Sequence, residues 1–161
     1  MNKALIVIDM QKGNDEIYQR NLVVKNINKR ILNYRDSNHP IIFVQMVSGI
    51  KPIFTERWKL MPDLNFEASD NYFNKYQPDA FFETGLSDFL KHRHISSIEI
   101  AGAQTQLCID TTIRIAFSYG YSIFILKDGF STFDSKLLKA KQINQHHLQI
   151  WQNSFAKVVV A

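Results

Sequence analysis

The sequence has one cysteine, no long hydrophobic run and no signal-peptide pattern, and each absence excludes a class of protein. A single thiol, that of Cys108, cannot close an internal disulfide, so a small secreted scaffold held together by disulfides is excluded. No apolar run reaches the roughly 18 residues that a membrane-spanning helix requires. We therefore expect a cytoplasmic protein that does not associate with membranes.

Glycine-rich loops and runs of like charge are also absent. The six glycines are scattered along the chain, which argues against a dinucleotide site or a phosphate-binding loop. The 19 Lys and Arg residues against 15 Asp and Glu residues give a net charge of +4, spread over the whole sequence. Because a nucleic-acid groove normally needs a concentrated basic stripe, we expect no nucleic-acid partner.

The length of the chain is sufficient for one domain. The 161 residues match the usual size of a domain, and a hydrophobic fraction of 45% with 21% charged residues is ordinary for a folded protein. No repeat, low-complexity tract or linker rich in Pro, Gly or Ser divides the sequence. We predict a single domain spanning residues 1–161.

Short apolar runs rich in Ile, Val and Phe predict the strands. Most of these runs do not alternate polar with apolar residues, and strands buried on both faces of a parallel sheet have this pattern. The clearest runs are Ala4–Ile8, Ile41–Val47, Ile98–Ala101, Ile123–Leu126 and Val158–Val160. The piece Tyr72–Phe73 is a weaker strand signal.

Helical patterns lie between the strands. One apolar stripe has spacings of four, four and three residues and consists of Val23, Ile27, Ile31 and Tyr34. Three further helices are predicted after the candidate N-caps Thr84, Thr105 and Ser135. Gly120 is expected to end the second of these helices, and the last is expected to run to about Trp151. Alternating strands and helices predict a doubly wound α/β fold.

Three reactive side chains follow predicted strands. Open α/β sheets bind ligands at the carboxyl ends of their strands, and Asp9, Lys75 and Cys108 each stand at or just after such an end. With Thr105 as N-cap, Cys108 falls in the first turn of a helix, where free N–H groups and the helix dipole favour a thiolate. The alternative is that this cysteine is a small buried hydrophobic residue.

Each of these residues alone has an ordinary explanation. Asp9 could cap a turn, and Lys75 could be a solvated surface lysine. Together, a thiol, a carboxylate and an ammonium group at one sheet edge can perform nucleophilic chemistry on an acyl carbon. The carboxylate takes the thiol proton, the ammonium group stabilises the resulting anion, and backbone amides hold the oxyanion.

Three blocks of the sequence carry a family pattern. They are Ala4–Gln11 (ALIVIDMQ), the segment from Lys75 to Leu86, and Gly102–Thr112 (GAQTQLCIDTT). In this order they resemble the isochorismatase-like cysteine hydrolase superfamily, which includes nicotinamidases and N-carbamoylsarcosine amidohydrolases. The similarity runs over nearly the full chain and is closest to small bacterial members whose substrates are undefined.

The resemblance implies a fold and a set of roles. The fold is a three-layer αβα arrangement of Rossmann type around a six-stranded parallel sheet of order 3-2-1-4-5-6. By matching position, Asp9 is the general base, Lys75 its partner and Cys108 the nucleophile. The family also implies a non-proline cis peptide at Ala103–Gln104, with the backbone amides of Gln104 and Cys108 as the oxyanion hole.

Departures from the family pattern bear on metals and substrates. Metal-binding nicotinamidases carry an Asp-x-His and a further His in the stretch that corresponds to Met46–Asn74, and this stretch has no histidine. We therefore predict no zinc and no other cofactor, and nicotinamide is a less favoured substrate. Because Cys108 is present, hydrolysis of the isochorismate vinyl ether is also less favoured. His146 and His147 are adjacent on a predicted helix and are expected to serve surface or subunit contacts.

Three further residues are candidates for the substrate pocket. Gln11 follows the base by two positions and is expected to bind substrate or to orient Asp9. Trp58 lies in the long segment Ser48–Asn74, and we expect it to line the site of its own subunit or of a neighbour in a homodimer or larger homo-oligomer. Phe81 fits the pocket and ordinary core filling equally well.

The leading hypothesis is a cysteine-dependent hydrolase that cleaves a small amide or related acyl substrate through a thioester on Cys108. A second hypothesis is a non-catalytic α/β protein that binds a small molecule and retains the triad by descent. A nucleic-acid binder is the third, and only the net positive charge favours it.

Overall fold

The computed structural model describes residues 2–161 and is built around one six-stranded sheet. The strands are β1 (Lys3–Ile8), β2 (Ile41–Met46), β3 (Asn71–Lys75), β4 (Ser97–Ala103), β5 (Ser122–Ser131) and β6 (Lys157–Val159). Neighbouring strands are parallel, and their order is β3-β2-β1-β4-β5-β6. The predicted α/β fold and its strand order are confirmed.

Helices cover both faces of the sheet. They are α1 (Arg20–Asp36), α2 (Leu86–His92), α3 (Asp110–Ser118) and α4 (Ala140–Ser154). A short 3₁₀ turn, Lys12–Asn14, follows β1, and a π-helical turn, Thr105–Ile109, leads from β4 into α3. Within residues 2–161, no helix is long and apolar enough to cross a membrane.

The two faces of β1 belong to two separate hydrophobic cores. Ala4, Ile6 and Ile8 pack with residues of α2, α3 and α4, whereas Leu5 and Val7 pack with residues of α1. Because successive side chains of a strand point to opposite faces, a strand buried on both sides requires an unbroken apolar run. The predicted stripe of α1 lies wholly in the second core and consists of Val23, Ile27, Ile31 and Tyr34.

Two of the predicted helix starts are shifted by local hydrogen bonds. Gly85, in a left-handed conformation, occupies the N-cap position of α2, and the Thr84 hydroxyl accepts the N–H of Leu86 from one residue further out. Thr105 is not an N-cap, because it lies inside the π-helical turn and its hydroxyl donates to the side-chain oxygen of Asn144.

The last helix also begins later than the sequence suggests. The Ser135 hydroxyl accepts the N–H of Leu138 in a turn that precedes the helix. The first helical residue of α4 is Ala140, and its N–H donates to the Asp134 carboxylate at 2.9 Å. Ser135 therefore stabilises a local turn instead of capping the helix, and the carboxylate of Asp134 accepts the first helical N–H in its place.

Gly102 allows β1 and β4 to meet where the site is formed. It pairs with Ile8 in the sheet and adopts a positive φ of 125°. A Cβ at this position would lie 2.0 Å from the Ile8 carbonyl oxygen, so no other residue fits without moving β1. Gly102 therefore brings the last residue of β1, and Asp9 after it, close to the end of β4.

Glu99 on β4 fixes α1 to the sheet through a buried carboxylate. It is 2% exposed, and Arg30 donates to its two oxygens at 2.7 and 2.6 Å. The hydroxyl of Tyr34 donates a third hydrogen bond at 3.0 Å. A buried charge that is paired in this way is stable, but the loss of either partner leaves the other charge uncompensated.

We expect Glu99→Gln to lower the free energy of unfolding by about 2 kcal/mol, because it removes the ionic partner of Arg30 from a buried position. Urea denaturation measures the change. Lys139→Gln is the matched control, since Lys139 forms an exposed ion pair with Asp134 and its replacement should leave the midpoint unchanged. A wild-type midpoint for Glu99→Gln would show that the cluster does not stabilise the fold.

Candidate active site

The carboxyl edge of the sheet collects the three reactive side chains. Asp9 follows β1 directly, Lys75 is the last residue of β3, and Cys108 lies in the π-helical turn after β4. β1 and β4 are neighbours at the point where the strand order reverses, which is where open α/β sheets bind ligands. The site residues predicted from strand ends therefore share one edge.

Lys75 contacts both of the other two side chains. Its Nζ lies 3.1 Å from Asp9 Oδ2 and 3.0 Å from Cys108 Sγ. The relative exposure of Lys75, Asp9 and Cys108 is 0%, 3% and 6% respectively. The structure brings the three predicted residues together as one buried cluster.

The ammonium group of Lys75 has no donor left over for another task. Besides Asp9 and Cys108, it donates to the carbonyl oxygen of Gln77 at 3.2 Å. An ammonium group has three N–H donors, and these three acceptors occupy them. Lys75 is therefore placed to hold the carboxylate and to stabilise negative charge on the sulfur.

Asp9 keeps one oxygen free. Oδ2 is bound by Lys75, whereas Oδ1 is buried and has no hydrogen-bond partner among the residues that the structure describes. The backbone of Asp9 is held on both sides, because its N–H donates to Val44 and its carbonyl accepts the Asn14 side-chain amide at 2.8 Å. A fixed and unpartnered carboxylate oxygen next to a thiol is suited to accept its proton.

The surroundings of Cys108 favour the protonated thiol. Burial and the negative charge of Asp9 raise the pKa of this thiol, the positive charge of Lys75 opposes the rise, and the resulting pKa is about 12. This direction is opposite to the one that the helix start suggests from sequence, because burial disfavours the charged form of the thiol. Ionisation of the sulfur thus has to accompany proton transfer to Asp9.

The turn before the nucleophile has the backbone form that the resemblance implied. The peptide bond between Ala103 and Gln104 is cis. The carbonyl oxygen of Gln104 accepts the N–H groups of Leu107 and Ile109, which closes the π-helical turn around Cys108. Gln104 also lines a cavity of about 590 Å³. The oxyanion role of the Gln104 and Cys108 amides remains a prediction.

Gln11 has a structural role that the sequence did not suggest. Its side-chain nitrogen donates to the carbonyl oxygens of Met46 at 3.0 Å and Trp58 at 2.8 Å, and its side-chain oxygen accepts the N–H of Met46. Both amide donors are used by backbone, so Gln11 neither orients Asp9 nor offers a free donor to a substrate. It ties the long loop to β2.

Trp58 and Phe81 lie in different surroundings. The indole N–H of Trp58 donates to Asn74, and the ring lines a cavity of about 600 Å³ that does not include the triad residues. The ring of Phe81 lies 5.4 Å from that of Tyr119 and 5.9 Å from that of Tyr121, at the end of α3 remote from Cys108. Phe81 therefore fills the core, the alternative that the sequence left open.

Two residues near the triad, Lys51 and Asn14, are not indicated by the sequence pattern. Lys51 is 7% exposed, and its Nζ donates to the side-chain oxygen of Asn14 at 3.0 Å. Burial lowers the pKa of Lys51, and the charges of Asp9 and Cys108 act on it from nearby. Only the fold of the long loop brings Lys51 to this edge, so strand-end reasoning does not find it.

The histidine pair lies on α4, away from the triad. The rings of His146 and His147 are 5.6 Å apart, and His147 also packs against Trp151. Across residues 2–161, no group of three or more His, Cys, Asp and Glu side chains is arranged to hold a metal ion.

The chain is similar to proteins of one family. The family model of the isochorismatase domain matches residues 3–159. The isochorismatase family protein YwoC of Bacillus subtilis strain 168 is 31% identical over 150 residues, covering 83% of this chain and 79% of YwoC. The crystal structure of an isochorismatase family protein matches with a TM-score of 0.96 at 38% identity and covers 98% of both chains.

Two further relatives have names that state an activity. Nicotinamidase 3 of Arabidopsis thaliana is 32% identical over 75 residues, which are 47% of this chain and 38% of that protein. The ureidoacrylate amidohydrolase RutB of Pseudomonas syringae pv. syringae strain B728a is 22% identical over 170 residues and covers 78% of this chain and 69% of that protein.

We expect Asp9→Asn to raise the rate at which iodoacetamide alkylates Cys108 at neutral pH. The substitution removes the negative charge that raises the thiol pKa but keeps Lys75, so the thiolate fraction increases about tenfold for each unit by which the pKa falls. Mass spectrometry of the intact protein measures the rate. Asp36→Asn, at the exposed end of α1, is the control. An unchanged or lower rate in folded Asp9→Asn would contradict this electrostatic arrangement.

Proposed function

The chain belongs to the isochorismatase family, and from this premise we propose that it is a cysteine-dependent hydrolase that cleaves the C–N bond of a small amide or related acyl compound. The observation that carries the proposal is the position of Lys75 Nζ between Asp9 and Cys108, 3.1 and 3.0 Å away. The free Oδ1 of Asp9 supports it, because a nucleophilic thiol needs a nearby base.

The first step forms a tetrahedral intermediate. Asp9 Oδ1 takes the proton of the Cys108 thiol as Sγ bonds to the acyl carbon, and the electron pair of the C=O bond moves to its oxygen. Lys75 stabilises the negative charge that develops on the sulfur before the new bond is complete. The backbone amides of Gln104 and Cys108 are proposed to hold the oxyanion.

Collapse of that intermediate releases the amine and leaves a thioester. The C=O bond re-forms, the C–N bond breaks, and the carboxylic acid of Asp9 gives its proton to the departing nitrogen. Water then attacks the thioester, Asp9 accepts the water proton, and the C–S bond breaks to release a carboxylic acid. The sulfur recovers a proton from Asp9, which restores the starting state.

The names of the relatives are in accord with this reaction class. A nicotinamidase and a ureidoacrylate amidohydrolase both cleave C–N bonds at an acyl carbon, and both are similar to this chain in sequence.

One observation favours a second candidate function. The raised pKa of Cys108 is also what an inert, buried thiol would have. A protein that binds a small molecule at the sheet edge without turning it over would retain the same cluster. Turnover and covalent trapping separate the two functions.

We expect Cys108→Ala and Cys108→Ser to reduce the hydrolysis of small amides and ureides by at least about 10³-fold, because the nucleophile is lost while the fold is unchanged. Release of amine or ammonia measures turnover, and thermal unfolding checks the fold. In the wild-type protein, rapid acid quenching should trap an acyl group on Cys108 that mass spectrometry identifies. Full turnover by Cys108→Ala would contradict the proposed mechanism.

A further inference from the structure

Two cations without a carboxylate partner line the cavity next to the nucleophile's turn. Lys51, Arg57 and Gln104 are among the residues that line this cavity of about 590 Å³. Within residues 2–161, no Asp or Glu oxygen lies within the 4.0 Å of an ion pair from either the Lys51 ammonium group or the Arg57 guanidinium group. Unpaired positive charge in a cavity attracts an anion.

Lys51 is unusual because it is buried as well as unpaired. Its Nζ makes one side-chain hydrogen bond, to the oxygen of Asn14 at 3.0 Å, so two of its three N–H donors have no acceptor in the described chain. It is 7% exposed, and burial lowers its pKa. A buried ammonium group is costly unless it is paired, which indicates that a ligand supplies the missing acceptors.

The loop that carries the two cations is fixed to the turn after β1. The backbones of Ser48 and Lys51 exchange two hydrogen bonds, at 3.1 and 3.0 Å, and the N–H of Gly13 donates to the carbonyl of Arg57 at 2.9 Å. Gly13 leaves room for the lysine stem, since a Cβ there would lie 2.6 Å from Lys51 Cε. The position of Lys51 is therefore built into the fold.

Other charges at this cavity are either paired or exposed at its rim. Lys12 is bound by Glu56 at 2.6 Å, and Asp15 is bound by Arg20 at 2.7 Å. Glu16 is exposed at the rim. Lys51 and Arg57 thus dominate the charge that a molecule inside the cavity meets.

We propose that Lys51 and Arg57 bind a carboxylate carried by the substrate, while the acyl group of the same molecule lies at Cys108. Arginine presents a planar fork that matches a carboxylate, and lysine adds a compact charge. Gln104, which begins the turn that holds Cys108, lines the same cavity as the two cations, so the proposed carboxylate site adjoins the nucleophile's turn. This inference rests on the proposed hydrolase function and narrows its substrates to anionic amides or ureides, in preference to neutral ones.

A pair of alkylating reagents tests the proposal. Iodoacetate and iodoacetamide differ in carrying a carboxylate or a neutral amide, and both consume the same Cys108 thiolate. The ratio of their rates therefore cancels any change in the thiol pKa. We expect the iodoacetate-to-iodoacetamide ratio of the protein to exceed that of free glutathione by about tenfold or more, the effect of one charge-assisted hydrogen bond.

Substitutions of Lys51 and Arg57 test whether these two side chains cause the preference for iodoacetate. Lys51→Gln should lower the ratio about tenfold and Arg57→Gln several-fold, whereas Lys157→Gln removes an exposed charge from β6 and should leave it unchanged. Arg57 is exposed, so Arg57→Gln keeps the test decisive if Lys51→Gln fails to fold.

The possible outcomes separate this proposal from the proposed function. A ratio equal to that of glutathione, or one unaffected by both substitutions, would overturn the carboxylate site and leave the reactive thiol in place. Absence of wild-type turnover on every small amide and ureide, anionic or neutral, would instead contradict the proposed function, and the carboxylate site would fall with it.

Discussion

A lysine with no exposed surface must be neutralised by its neighbours, and the contacts that neutralise Lys75 organise the site. Its ammonium group reaches Asp9 at the end of β1, Cys108 after β4 and the carbonyl of Gln77. These contacts connect the end of an edge strand to the two central strands of the sheet. If the contact with Asp9 is lost, the buried charge of Lys75 is left without an ionic partner, so the requirement for charge neutrality holds Asp9 and Lys75 together.

The same burial sets the chemistry of the sulfur. The first turn of a helix alone favours a thiolate, yet desolvation and the Asp9 carboxylate together raise the thiol pKa to about 12. Asp9 is thus both the group that keeps the sulfur protonated at rest and the group that is proposed to take its proton during attack. A resting thiol beside a free carboxylate oxygen is less open to oxidation than a preformed thiolate, because the thiolate is the reactive species.

Sequence predicts those features of this protein that depend on short-range patterns and on topology. Apolar runs fixed the strands, the stripe on α1 fixed its buried face, and the rule of strand ends placed Asp9, Lys75 and Cys108 at one edge. Prediction from sequence fails where contacts with distant parts of the backbone determine what a side chain does. Gln11 donates to the carbonyls of Met46 and Trp58. The side chain of Asp134, and not that of Ser135, accepts the first N–H of α4. Lys51 lies near the site only because of the path of its loop. The sequence also does not predict that the pKa of Cys108 is raised, because this shift depends on burial.

Cys108 rests as a thiol beside Asp9 and Lys75. An NMR titration of the protein labelled with ¹³C at the cysteine Cβ tests it most directly, since this is the one cysteine of the chain. We expect the resonance to stay at its thiol position through neutral pH and to titrate well above the free-cysteine pKa of about 8.5. An inflection at or below that value would show a preformed thiolate and would contradict the assignment of Asp9 as its proton acceptor.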